Sequence, residues 1–271
     1  MIVVPRSGFV HRNCDEDLVL KRNFFYFVSI KMYKILSKLD AIEQKLVAYR
    51  GPPGENLDDI ADDFLRPFTP TPQPHAIMMV GLPGSGKSVT KEMFFLLKNA
   101  DKRMYPTVDP DTFLEKYFEN QTSEKNYAYC YKLQSKVIDK VIAKRLNILL
   151  DGTGKNLFPT IDKFKTANYK IDLLITLVDS NLAWTRTEQR GRLTGRTVDW
   201  EYFSQTNALI NQNVNNYLES PDINDVMLVV NDFVDDDAST GVKVLCTKKA
   251  VCQRIKANVK LWRQQSQSRV S

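Results

Sequence analysis

The chain reads as a doubly wound α/β protein: a mostly parallel sheet with helices on both faces, preceded by a helical amino-terminal extension. Three observations predict this. Short apolar runs at 76–80, 106–109, 146–151, 171–178, 226–230 and 242–246 lack polar alternation, as strands buried on both faces do. Helical patterns such as 129–145 and 199–218 lie between most of them, which is the order of a parallel sheet with crossover helices. The length of 271 residues with 43% hydrophobic content is enough for a full core.

Composition sets limits on function. A net charge of +6 suits a protein that handles phosphates or other anions and is too small to argue for nucleic acid alone. Cys14, Cys130, Cys246 and Cys252 form no CxxC pair, so reduced thiols and a cytoplasmic location are expected rather than a zinc site. Only His11 and His75 exist, which argues against a histidine-dependent triad or a multi-histidine metal centre. The apolar run at 24–30 is interrupted by Lys31 and Lys34 and falls short of the roughly 20 residues of a membrane span. The acidic stretch at 15–17 precedes it where a signal peptide would be basic.

The elements follow in order. Met32, Ile35, Leu36, Leu39, Ile42, Leu46 and Val47 recur at helical spacing, predicting an amphipathic helix over 23–50 stopped by Gly51-Pro52-Pro53-Gly54. Prolines at 67, 70, 72 and 74 make an extended linker. The expected organisation is therefore an extension over 1–66, a linker over 67–75 and a domain over 76–271, with the extension's protein partner left open.

Strand 76–80 runs into Gly81-Leu82-Pro83-Gly84-Ser85-Gly86-Lys87-Ser88, which satisfies G-x-x-x-x-G-K-[ST] in full. Gly84 and Gly86 remove Cβ atoms, so that consecutive backbone N–H groups can turn toward one anion. Lys87 reaches the β- and γ-phosphates, and Ser88 supplies an oxygen to Mg²⁺. The helix that begins near Lys87 adds the positive end of its dipole. Val89 stands where a dinucleotide site would carry its third glycine, so that alternative fits less well. The stretch 81–89 is expected to hold ATP, with GTP as the alternative, and the class becomes P-loop kinase-like.

The next strand ends in Asp109, and Asp111 follows just before a helix carrying Phe113, Leu114, Tyr117 and Phe118. Ligands in such folds sit outside the carboxyl ends of strands, so both acids should face the loop's crevice. There a carboxylate can accept the proton of an attacking hydroxyl; either acid can also simply cap the helix. The third strand ends in Asp151, followed by Gly152-Thr153-Gly154-Lys155. Asp151 can hold Mg²⁺ through water, or Asp151 and Thr153 can hydrogen-bond the acceptor.

Arg186, Arg190, Arg192 and Arg196 fall within eleven residues, with Gly191 and Gly195 expected to make a flexible loop after the helix. Mobile arginines that close over a nucleotide stabilise the charge spread over a transferring phosphoryl group. The tail at 248–263 is basic with an apolar stripe (Val251, Ile255, Val259, Trp262), which suits a packed terminal helix better than an oligonucleotide groove.

On these segments the chain resembles the zeta-toxin family of P-loop kinases, over roughly 76–218. The resemblance rests on the Walker loop, on "DPDTF", on "LLDGTGKN" and on the arginine segment followed by a long helix. It implies that Asp111, directly before Thr-Phe, is the base and that Asp151, before Gly-Thr, contacts the substrate. It implies that Arg196, with Arg190 or Arg186, contacts the ATP phosphates. Bacterial toxin members of the family phosphorylate UDP-N-acetylglucosamine. Asp151 stands where Glu is commoner, and Lys155, a further substrate contact, where Arg is frequent. The implied activity is Mg²⁺-dependent transfer of the γ-phosphate of ATP to the hydroxyl of a small molecule. The rival readings are a 5′-hydroxyl polynucleotide kinase and a nucleotide-binding regulatory module without catalysis.

Overall fold

The computed structural model describes residues 56–118, 123–231, 242–246 and 249. The helix expected over 23–50 and nearly all of the tail at 248–263 lie outside them. Helix α1 spans Leu57–Leu65. It is followed by β1 (His75–Val80), α2 (Lys87–Lys98), a 3₁₀ turn at Lys102–Met104, β2 (Thr107–Val108), α3 (Pro110–Phe118) and α4 (Glu124–Lys144). Then come β3 (Ile148–Leu150), α5 (Phe158–Thr166), β4 (Lys170–Leu177), α6 (Ser180–Thr194), α7 (Trp200–Glu219), β5 (Asp225–Asn231) and β6 (Val242–Cys246).

The six strands lie in the order β2-β3-β1-β4-β5-β6. All neighbours are parallel except β5 and β6. β1 occupies the centre, with Met78 opposite Leu150 on β3 and Leu173 on β4. Sheets of this kind take ligands at the carboxyl ends of the central strands. The unalternating apolar runs now have their reason. Ile77 and Met79 of β1 pack with Phe94 and Phe95 of α2 on one face. Ala76, Met78 and Val80 face the other cluster, with Leu133 and Val137 of α4, Phe164 of α5 and Phe203 and Val214 of α7.

At the amino ends of the strands, buried Asp172 of β4 pairs with His75 of β1 (Nε2 to Oδ2, 3.0 Å) and with Lys170 (3.3 Å). Burial would push this carboxyl up, but His75 and Lys170 together hold it below the usual carboxylate range. The pair ties β1 to β4 at their amino ends.

Two helices differ from the expected bounds because of caps. α4 begins at Glu124, five residues before the expected start, because the Ser123 side chain accepts from the Asn126 N–H at 3.1 Å. α1, not among the expected helices although Leu57, Ile60, Ala61, Phe64 and Leu65 fall at helical spacing, starts where the Asn56 side chain accepts from the Asp58 N–H at 3.0 Å. It buries Ile60, Ala61 and Leu65 in the same cluster as α4. Asp62 pairs with Lys140 and Lys144, each at 2.7 Å. Of the described cysteines, Cys130 is free and buried, whereas Cys246 is disulfide-bonded, so reduced thiols are found for the first and not the second. Among the described residues no helix is long and apolar enough to cross a membrane.

α7 carries one contact that matters for the site. The fully buried Tyr217 hydroxyl donates to the Gly154 carbonyl (2.9 Å) and accepts from the Leu157 N–H (2.9 Å). Asn213 adds a bond to the Lys155 carbonyl (2.7 Å). The loop after β3 is therefore hung from α7. Tyr217→Phe leaves both backbone groups without this partner and should cost about 1–3 kcal/mol, read as a lower urea midpoint. An unchanged midpoint would show that the hydroxyl does not hold the loop.

Candidate active site

Residues 81–88 leave β1 and enter α2 as the motif demands. Gly84 and Gly86 have φ of +75° and +86°, a region closed to most side chains. The neighbours forbid a Cβ independently. At Gly84 it would meet the Ala183 carbonyl oxygen at 2.2 Å, and at Gly86 the Asn231 Nδ2 at 1.9 Å. The loop is thus pressed between α6 and the end of β5. Asn231 donates from Nδ2 to the Ser85 carbonyl (2.8 Å), and the Gly81 N–H donates to the Thr153 carbonyl (3.0 Å). Arg186 donates to the Asn231 carbonyl at 3.1 Å and reaches the Gly84 carbonyl at 3.5 Å. Leu82, Pro83 and Ser85 are buried, and Val89 is partly buried in the first turn of α2.

Lys87 Nζ donates to the carbonyls of Gly81 (3.1 Å) and Leu82 (3.0 Å). Burial lowers its pKa, while the charges of Asp151 and Asp109 oppose that shift and those of Arg190 and Arg196 add to it. Four cations and three carboxylates therefore converge on the carboxyl ends of β1, β2 and β3. Lys91 lies one turn beyond Lys87 on α2, and its Nζ is 3.4 Å from Asp151 Oδ2. Arg196 forms an ion pair with Asp111. Arg190 carries a buried Nε without a hydrogen-bond partner among the described residues. Burial lowers the pKa of both Arg190 and Arg196, with the charge of Asp109 opposing it in each case.

Asp109 and Asp111 do different things. Asp109 caps α3: its Oδ1 accepts from the Asp111 N–H at 2.9 Å, and its carbonyl accepts from the N–H groups of Thr112 and Phe113. Burial first, and then the charge on Asp151, push its carboxyl up to about 7, against the pull of Arg196, Lys87 and Lys91. Asp111 stands one step out, paired with Arg196 and accepting from the Tyr127 hydroxyl at 3.4 Å. Lys155 lies over the ring of Tyr202, with Nζ 4.7 Å from its centroid.

The expected glycine loop is corrected in one respect. Gly191 lies inside α6, which runs to Thr194, and Gly195 is its left-handed cap with φ of +74°. Arg186 and Arg190 therefore sit on a helix, and only Arg196 follows the cap. Lys91, Asn231 and Tyr127 are additional residues of the site. Lys91 stands at i+4 from Lys87, a spacing visible in the sequence; Asn231, 146 residues from Ser85, left no local signal.

The crevice fits a polyphosphate on its own evidence. Its cradle leaves no room for a Cβ at Gly84 or Gly86, the buried Ser85 Oγ and Arg190 Nε have no hydrogen-bond partner among the described residues, and desolvated cations gain most from an anion. Ser88 is exposed in the first turn of α2, within reach of what the loop holds.

Comparison with known proteins gives three findings. A family model described as zeta toxin matches residues 58–249. Among solved structures, the chain is similar to one from the PezAT chromosomal toxin–antitoxin system of the human pathogen Streptococcus pneumoniae. That alignment has a TM-score of 0.53 and 14% identity, and covers 70% of this chain and 78% of that one. It is also similar to a chain of the AvrRxo1-ORF1:ORF2 complex, with a TM-score of 0.50 and 14% identity over 65% of this chain and 58% of that one. At such identities the two likenesses show the fold. No curated protein matches the chain.

Asp109 yields a prediction. A carboxyl whose folded pKa lies above its unfolded one contributes stability that is fully present below the unfolded value and lost as pH rises through the folded one. Here the window runs from 3.8 to about 7. Asp109→Asn keeps a capping side chain and removes the titration. Its melting temperature relative to wild type should climb between those pH values and level off above them. A difference that does not change with pH would show that Asp109 is not the strained acid.

Proposed function

Because the chain belongs to the zeta-toxin family of P-loop kinases, we propose that it transfers the γ-phosphate of ATP to a hydroxyl of a sugar-nucleotide acceptor. The observation that carries this reading is the pairing of Asp111 with Arg196, which in turn acts on Lys87 of the phosphate loop. A candidate base, a lid cation and the phosphate loop thus belong to one electrostatic unit.

The amides of 81–88 and Lys87 hold the β- and γ-phosphates, where the α2 amino terminus adds its dipole. Ser88 would hold Mg²⁺, with Asp151 the acid that would assist through water; the ion, when bound, neutralises charge on the phosphate oxygens. Arg190 and Arg196 meet the charge that develops on the transferring group. Arg186 braces the loop that carries those phosphates. Thr153, Lys155 and Asp151 border the acceptor's side.

Asp111 orients the acceptor hydroxyl and takes its proton as the oxygen attacks phosphorus. The new O–P bond forms, the bond from the γ-phosphorus to the β,γ-bridging oxygen breaks, and ADP leaves with that electron pair. For this the Asp111–Arg196 pair has to open, with the guanidinium turning to the phosphates. The guanidinium that pairs with Asp111 thus becomes the charge that stabilises transfer.

Transfer of labelled γ-phosphate to UDP-N-acetylglucosamine tests the reading, with a 5′-hydroxyl oligonucleotide as the competing acceptor. Asp111→Asn should keep ATP affinity and lose turnover by roughly 10²- to 10⁴-fold. Undiminished turnover in this variant would remove Asp111 as the base. Preference for the oligonucleotide would replace the acceptor.

A further inference from the structure

Arg196 belongs to the connection 195–199 between α6 and α7. One end of this connection is held by α6. Gly195 is the left-handed cap, and the Arg196 N–H donates to the Thr194 hydroxyl at 3.3 Å. Thr197 folds back so far that a Cβ on Gly191 would lie 3.4 Å from its methyl group. The other end is held by α7, where the Asp199 side chain accepts from the N–H groups of Glu201 (2.8 Å) and Tyr202 (3.2 Å). Three aromatic rings then join the two helices. Trp200, the first residue of α7, meets Trp184 of α6 edge-on, with centroids 4.8 Å apart and planes at 78°. It lies nearly parallel to Phe203 one turn on, at 5.7 Å and 17°. Trp184 also meets Phe203, at 5.2 Å and 65°, and Phe203 is buried in the main core.

Core packing accounts for Phe203 but not for Trp200, which leaves 55% of its surface in solvent. A single exposed apolar ring can be incidental. Incidental packing does not require an edge-on contact to one helix and a stacked contact to another, and those are the orientations in which aromatic pairs attract. What the ring bridges gives it a purpose. Ala183, the residue before Trp184, sets its carbonyl oxygen against Gly84 of the phosphate loop. Successive positions of α6 therefore clamp the phosphate loop and, through Trp200, the connection that carries Arg196.

We infer that Trp200, held between Trp184 and Phe203, is a positioning residue that sets where the connection 195–199 presents the Arg196 guanidinium to the phosphate loop. The inference rests on the kinase reading above and adds the residue that aims its arginine. When Arg196 leaves Asp111 for the γ-phosphate, the three rings keep both helix ends in place, so that only the side chain travels. Trp200 acts through Arg196 and not on the nucleotide itself. A misplacement of about 1 Å in such a group can cost on the order of 10²-fold in rate.

Two quantities test this on the full chain. The ratio of affinities for a non-hydrolysable ATP analogue and for ADP reads the hold on the γ-phosphate without any transfer. The second quantity is kcat with ATP and UDP-N-acetylglucosamine. Arg196→Ala should lower the affinity ratio about tenfold. Trp200→Ala should lower it too, leave ADP affinity unchanged and cut kcat by roughly 10- to 10²-fold. In the double variant it should add nothing to Arg196→Ala. Trp200→Phe keeps a ring for Trp184 and Phe203 and should restore both quantities. If the alanine variant does not fold, Trp200→Leu enters the same cycle. Losses that multiply in the double variant overturn the inference, because Trp200 would then act independently of Arg196. A wild-type ratio in Trp200→Ala or in Arg196→Ala overturns it as well. The expected ratios in a wild type that transfers no phosphate would instead sink the kinase reading and leave the positioning of Arg196 standing.

Discussion

The structure depends on how tightly the phosphate loop is pressed between its neighbours. Gly84 lies against the backbone of α6 and Gly86 against the side chain of Asn231, so near that neither position admits a Cβ. Because α6 both clamps the loop and carries Arg186 and Arg190 ahead of Arg196, loop and arginine segment form one mechanical piece. The arginines are aimed by the same packing that shapes the cradle. Arg186 makes this explicit: its guanidinium bonds the carbonyl of Asn231, the residue that holds Ser85.

Charge follows from that geometry. The cradle concentrates donors and removes water, and burial lowers the pKa of Lys87, Arg190 and Arg196. Desolvated cations in one crevice require counter-charge. The carboxyl ends of β2 and β3 supply it through Asp109, Asp111 and Asp151. The supply is uneven. Asp109, raised by burial and by the charge of Asp151, is pushed up to about 7, whereas Asp111 pairs with Arg196. Two acids separated by one residue thus take different parts: the inner one caps α3 and gives up charge, and the outer one pairs with Arg196.

The third support is α7. Through Tyr217 and Asn213 it suspends the loop after β3, whose Thr153 carbonyl in turn receives the Gly81 N–H. Loops from β1 and β3 are therefore braced on each other, and the first turn of α7 brings Tyr202 alongside Lys155. A helix whose own motif content is slight thus holds the loop after β3 in place.

Much was legible in the sequence because it is locally encoded. The glycine pattern of 81–88, the acids that end short apolar strands and the clustered arginines carry their meaning within a dozen residues. Strands buried on both faces and helices at regular spacing sufficed for a doubly wound sheet. Local pattern could not rank Arg186 against Arg190, separate Asp109 from Asp111 by burial, or keep Gly191 out of the loop. Nor could it find Asn231, or show that Tyr127 bonds Asp111 and that Lys155 covers Tyr202. Those facts depend on the order β2-β3-β1-β4-β5-β6, which juxtaposes side chains far apart in the chain. Burial and electrostatic coupling are properties of that juxtaposition. No single segment contains them, and so only the tertiary structure decided them.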